Sequence, residues 1–153
     1  MFDRFTEDAR KALFFARCVA SVRHGEQIEL EDMLRGVMLT APSAVVRFAS
    51  DESALPPHTE TGEDWFARIL QGAPEHGAVK RRIPLSNRLT LMFERMVVEA
   101  DALGHHAIRP EHLVLGLLRE EGTEAWKILH RAGVSLREVR RVMSAEPDWP
   151  VGG

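Results

Sequence analysis

Laid over itself with a shift of 80 residues, the chain matches its own cap, glycine and apolar positions without a gap. Thr6 falls on Ser86, Ala20 on Ala100, Ile28 on Ile108, Glu31 on Glu111 and Gly36 on Gly116. Identities are few, but the agreement runs across a whole helix-turn-helix. A helical unit that cannot bury its apolar face alone packs against its copy. The repeat therefore predicts an all-α fold of two similar four-helix halves, related by a pseudo-twofold and packed as one compact domain. With 153 residues and 44% hydrophobic content, the chain can supply one such shared core.

Periodicity supports the helices one by one. In the first, Ala9, Ala12, Leu13, Ala16 and Ala20 follow the 3-4 spacing of a buried face, with Thr6 as N-cap, Glu7 and Asp8 in the first turn and Gly25 as the stop. "EDMLRGVML" reads as a second helix; "SAVVRFA" reads as a weaker third, its β-branched pair leaving a strand open. Loops then surround a short amphipathic helix near "EDWFARILQ". After them come a long helix capped by Ser86, then "PEHLVLGLLRE", "TEAWKILHRAG" closed by Gly133, and "SLREVRRVM", where Ser135 and Glu138 fit a capping box. The halves fall at residues 1–72 and 86–145, with a linker over 73–85 and a flexible tail over 146–153. Leu13, Ala16, Leu34, Val37, Leu89, Met96, Leu113, Leu117 and Ile128 are the expected core, with Trp126 beside them.

Charge and composition exclude several functions. Charged residues make up 28% of the chain but sum to a formal charge of only −3, which gives no basic face for nucleic acid or an anionic membrane. The triplet Lys80-Arg81-Arg82 is read as part of a solvated linker. A single cysteine, Cys18, makes an intramolecular disulfide and a cysteine metal cluster impossible and fits a reducing cytoplasm. The start of the chain carries charge within three residues, unlike a secretory signal, and no apolar run has the length of a membrane span. The expectation is a soluble cytoplasmic protein.

"AIRPEHLVLGLLREEG" (107–122) sets a Glu-His pair behind a proline and ahead of an aliphatic run, as if chemistry were mounted on a helix. An H-x-x-E-H metal motif fails because its first position is Ile108. His105, His106 and His112 read as capping or surface groups, so no metal is expected. Pro110 fits the first helical position, which puts Glu111 and His112 in the first turn. The acids Glu120 and Glu121 read as solvated. No Ser-His-Asp or Cys-His arrangement emerges from spacing, and no G-x-x-x-x-G-K-[ST] phosphate loop occurs. No enzymatic activity and no cofactor are expected.

"FTEDARKAL" with "IELEDMLRGV", then "LGHHAIRPEHLVLGLLREEG" with "AWKILHRAGVSLREVRRVM", resembles the double Clp N-terminal domain of ClpC/ClpA-type AAA+ unfoldases, over nearly the whole chain. The likeness is strongest in the second half. In the first, Glu29-Leu30-Glu31-Asp32 replaces the usual Gly-Thr-Glu-His. The resemblance implies a non-enzymatic module that docks adaptors or substrate polypeptides for a Clp-type ATPase, without the motor modules. In the ClpC-like branch it also implies phosphoarginine recognition through a hydroxyl and a glutamate. Carried over by position, these are Thr6 with Glu31 and Ser86 with Glu111. A carboxylate can pair bidentately with guanidinium while helix amides and a hydroxyl take phosphoryl oxygens; equally, a Thr or Ser cap and a first-turn Glu need no ligand. Glu29 and Asp32 make the Glu31 site acidic, whereas Arg109 and His112 balance the site of Glu111, so the second-half glutamate is expected to dominate any binding. Two roles stay open: a docking module of a Clp unfoldase, as accessory protein or N-domain, or a repurposed helical domain binding a partner helix in another system.

Overall fold

The computed structural model describes residues 2–72 and 82–150. Most of the expected linker, including Lys80 and Arg81, and residues 151–153 of the expected tail lie outside the described residues. Eight α-helices are present among those described: α1 (Glu7–Val22), α2 (Leu30–Thr40), α3 (Ser43–Val46), α4 (Gly62–Gly72), α5 (Asn87–Ala102), α6 (Pro110–Leu118), α7 (Glu124–Arg131) and α8 (Leu136–Ser144), with a 3-10 turn at Glu52–Ala54. "SAVV" is helical, and the described residues contain no strand, only two isolated bridges. None of their helices is long and apolar enough to cross a membrane.

The repeat register is visible in the coordinates. α1 and α5 have identical bounds after the 80-residue shift, and each is started by a hydroxyl: Thr6 accepts from the Ala9 amide at 3.3 Å, and Ser86 from Leu89 at 3.1 Å. α3 packs on α6 while α7 packs on α2, so the third helix of each half lies on the second helix of the other. The first helix ends one residue earlier than the glycine suggested. His24 takes the left-handed conformation (φ 60°) that Gly104 (φ 74°) takes in the second half, and Gly25 then donates to Ala20 at 2.8 Å as His105 does to Ala100 at 2.9 Å.

Two backbone exchanges join the halves. The Thr6 amide donates to Ile108 O (3.0 Å) and Ile108 to Arg4 O (2.8 Å); Ser86 donates to Ile28 O (3.0 Å) and Ile28 to Pro84 O (2.9 Å). The second pair is the first moved by the repeat shift. Over this seam, Phe2, Phe5 and Phe93 meet edge to face with centroids 5.1 to 5.9 Å apart.

Of the expected core, Ala16, Leu34, Val37, Leu89, Met96, Leu113 and Leu117 are buried. Leu13 and Ile128 are only partly buried, packing on the margin of the core, and Trp126 stays outside it, stacked on His130 at 4.8 Å. Ser135 caps α8 by accepting from Glu138, but the Glu138 carboxylate turns to Arg141 rather than closing the box. Glu120 is fully buried, not solvated: Arg88 (2.6 Å) and Arg95 (2.6 and 2.7 Å) of α5 converge on it and neutralise it at the end of α6. Glu121 is exposed as expected.

The paired glycines are not equivalent in their tolerance. A Cβ at Gly36 would collide with the backbone of α1 at Ala12 and Ala16, whereas at Gly116 its nearest obstacle is the flexible side chain of Met92. Gly36→Ala should therefore cost about 1 to 3 kcal/mol by overpacking, and Gly116→Ala clearly less. Urea denaturation of the two variants checks the order; equal midpoints would contradict the helix spacing described here.

Candidate binding site

Of the four residues singled out by resemblance, Thr6 and Glu111 line one pocket, and Ser86 lies against the turn before α2. α1 and α2 form a hairpin, and the 16 residues of α1 carry Thr6 about 24 Å from the turn that starts α2, so Thr6 cannot lie beside Glu31. The same holds for Ser86 and Glu111 across α5. The exchanged backbone bonds instead place Thr6 against the start of α6, and Ser86 against the start of α2. The within-half pairing expected from the sequence is thus replaced by Thr6 with Glu111 and Ser86 with the Ile28–Glu31 turn.

The first of these sites is a pocket of about 150 Å³ where the N-terminal ends of α1, α3 and α6 converge, lined by Thr6, Asp8, Ser43, Arg109, Glu111 and Trp149 among others. Glu111 is mostly buried and faces two guanidiniums, Arg47 at 3.5 Å and Arg109 at 3.9 Å. Both arginines are also held by Glu146, at 2.7 and 3.3 Å. Against the desolvation that would raise it, these cations keep the Glu146 carboxyl below its usual range. Arg109 lies under the Trp149 ring, 4.8 Å from its centroid. Glu146, Asp148 and Trp149, in the stretch expected as a flexible tail, make contacts here. Asp148 accepts from the amides of His106, Ala107 and Trp149 at 2.9 to 3.1 Å, and those bonds lower its pKa.

The second site differs in charge. Glu31 is exposed as a residue, yet desolvation of its carboxyl, reinforced by Asp32 and Glu29, raises its pKa. Asp32 is buried, bound to Arg23 (2.5 and 2.8 Å), and accepts from the Glu29 amide at 2.8 Å. In the other half His112 occupies the corresponding position: its Nδ1 accepts from the Arg109 amide at 2.9 Å. The other ring nitrogen meets His105 Nδ1 at 3.0 Å, and His105 Nε2 lies 2.9 Å from Glu146 O. His105 and His112 are therefore buried positioning groups, the latter the capping group the sequence suggested, while His106 is exposed. Burial first, then Arg109 and His105, pushes the His112 pKa down to about 3. His112 is consequently neutral at pH 7 and adds no charge beside Glu111, so that part of the expected balance is supplied by Arg109 and Arg47. The described residues hold no group of three or more His, Cys, Asp or Glu side chains arranged for a metal.

Arg47, Glu146 and Trp149 were not legible as site residues. The one available signal was the repeat register, which pairs Arg47 with Lys127 and so puts a cation at the same place in both halves.

The neutral His112 makes folding acid-sensitive. The unfolded chain takes up a proton near pH 6.5 that the native state refuses until about pH 3, so this contribution is complete above pH 6.5 and is lost as pH falls towards 3. His112→Asn keeps an acceptor but does not titrate. The wild type's stability relative to this variant should fall by about 1.4 kcal/mol per pH unit within that window. Urea midpoints measured from pH 7 to 4 check it, and parallel curves would contradict it.

The family described as "Clp repeat (R) N-terminal domain" matches residues 4–130 and 84–148. The chain is 26% identical over 146 residues to a probable ATP-dependent Clp protease ATP-binding subunit of Chlamydia pneumoniae, covering 95% of this chain and 17% of that protein. It is 29% identical over 141 residues to the negative regulator of genetic competence ClpC/MecB of Bacillus subtilis (strain 168), covering 92% and 17%. With the chloroplastic chaperone protein ClpC2 of Oryza sativa subsp. japonica the identity is 28% over 140 residues, covering 92% and 15%. The chain thus spans about a sixth of the length of the relatives it matches. The duplicated helical hairpin, its exchanged caps and the match over most of the sequence place the chain in the Clp repeat N-terminal domain family.

Proposed function

We propose that the chain is a non-enzymatic docking module that presents adaptors or substrate polypeptides to a Clp-type unfoldase, in the cytoplasm, through the two crossed sites. The observation that carries this reading is the meeting of Thr6, Glu111, Arg109 and the N-terminal ends of three helices around one pocket, which Asp8 also lines, with Arg47 beside it in ion-pair reach of Glu111. Such a set suits a ligand with both signs of charge. The carboxylate takes a guanidinium, while Arg47, Arg109 and the helix ends take a phosphoryl group. Phosphoarginine is the ligand of this kind implied by the family resemblance, with Thr6, Glu111, Ser86 and Glu31 as the contacting residues. The acidic surroundings of Glu31 favour a guanidinium but repel a phosphoryl group, so the pocket of Glu111 is the stronger site. The runner-up role, a repurposed helical domain serving a system other than Clp, uses the same surface for a different partner.

In this reading Glu146 holds the cations that a phosphoryl group needs. Titration calorimetry with phosphoarginine should show Glu111→Ala losing about 1.5 to 3 kcal/mol, Glu31→Ala losing less, and Glu146→Gln gaining affinity. A folded wild type that gives no heat at millimolar ligand would overturn the phosphoarginine assignment. Capture of a Clp ATPase from the native lysate by the immobilised chain tests the wider role, and recovery of unrelated partners alone would favour the runner-up.

A further inference from the structure

The cations of the Glu111 pocket are already engaged by the chain that follows α8. Arg109, at the cap of α6, is only 3% exposed. Both of its terminal nitrogens lie 3.3 Å from one oxygen of Glu146, and the Trp149 ring stacks on its guanidinium with the centroid 4.8 Å away. The other Glu146 oxygen accepts from Arg47 at 2.7 Å. One carboxylate therefore spans the two guanidiniums that the phosphoryl group of a ligand would take, and an indole lids the more deeply buried of them. An anion from outside reaches Arg109 only where this segment gives way.

The segment is tied down by groups outside the pocket. Asp148 accepts from the amides of His106 and Ala107 at 3.0 and 3.1 Å. The Glu146 carbonyl is held by His105, and the bonds behind that contact fix where its proton lies. The Arg109 amide can only donate, so His112 Nδ1 is the bare nitrogen of a neutral ring whose proton sits on Nε2, 3.0 Å from His105 Nδ1. His105 accepts there, which leaves its own proton on Nε2 to be donated to Glu146 O at 2.9 Å. The turn before α6 thus offers a row of donors, and the segment answers with acceptors of Glu146 and Asp148. Asp148 and Trp149 are exposed residues, so this part of the hold faces water and is weak enough to open.

We infer that residues 146–149 are a built-in competitor, an autoinhibitory latch that occupies the phosphoryl half of the Glu111 pocket and swings out when a ligand binds. The latch rests on the reading of that pocket as a phosphoarginine site and supplies its regulation. Exchange favours the ligand, because a phosphoryl group brings roughly −1.5 to −2 of charge to the guanidiniums that a singly charged carboxylate held. The ligand's own guanidinium then takes up Glu111. Apparent affinity is set by the fraction of molecules in which the segment is already out, so loosening the segment tightens binding.

The test titrates the full chain, labelled for NMR, with phosphoarginine and separately with inorganic phosphate, following the Trp149 indole N–H and the amides of His106 and Ala107. All three signals are expected to move towards random-coil positions in step with saturation. Asp148→Ala and Trp149→Ala, which leave Arg47, Arg109 and Glu111 untouched, should each bind at least about threefold tighter than the wild type. Both positions are exposed, so the variants should fold. Trp149→Ala changes no charge, so its gain separates release of the latch from mere removal of an acid, and a purely structural role would weaken binding instead. Equal or weaker binding by either variant, or saturation with Trp149 and the two amides unmoved, would overturn the inference. Phosphate keeps the two readings apart. Release of the segment by phosphate without any binding of phosphoarginine leaves the latch and sinks the phosphoarginine assignment; phosphoarginine bound with the segment unmoved sinks the latch alone; and no binding of either anion by any of the three chains sinks both.

Discussion

Everything distinctive about this molecule follows from two short backbone exchanges. The residues before α1 pair with the turn before α6, and the residues before α5 pair with the turn before α2. Each exchange satisfies amides and carbonyls that a helix start and a loop would otherwise leave to water. It also fixes where each N-cap hydroxyl sits relative to the other half. Without it the two helical hairpins would still have apolar faces to bury, but nothing would set the register in which those faces meet.

That register decides the electrostatics. Because Thr6 lies beside the start of α6, it shares a pocket with Glu111, and the cations around that carboxylate come from two separate parts of the chain, the end of α3 and the cap of α6, both held by Glu146 from the segment after α8. Among the described residues the site related by the pseudo-twofold is more acidic: Glu29, Glu31 and Asp32 crowd one turn, Arg23 offsets Asp32, and Lys127 takes the place of Arg47 in the repeat register. The duplication supplied two copies of one frame, and sequence divergence gave them opposite characters. The same divergence separates the outer surfaces: apolar residues seal α4 onto the first half, while in the second Arg140 of α8 and Arg119 meet Glu99.

Local features of the sequence were sound guides to local structure. Thr6, Ser86 and Ser135 cap their helices, Pro110 starts α6, and Gly104 and Gly133 turn left-handed where chains must stop. The readings that failed share a cause. Glu120 looked solvated because the sequence could not reveal that Arg88 and Arg95, both one helix away, converge on it. His112 looked like a charged neighbour of Glu111, but burial strips its proton. The "AEPDW" segment looked like a fraying end because nothing nearby in sequence binds it; its partners are some 40 residues earlier.

By itself, the sequence determined the helices, their caps and the 80-residue repeat that relates them, since these depend on contacts within about four residues and on one periodic apolar face. Only the tertiary structure decided which hydroxyl meets which glutamate. A hairpin of two helices holds its own two N-termini a full helix length apart, so each site has to be completed by the other half, and that crossing is written in long-range backbone bonds rather than in any local pattern.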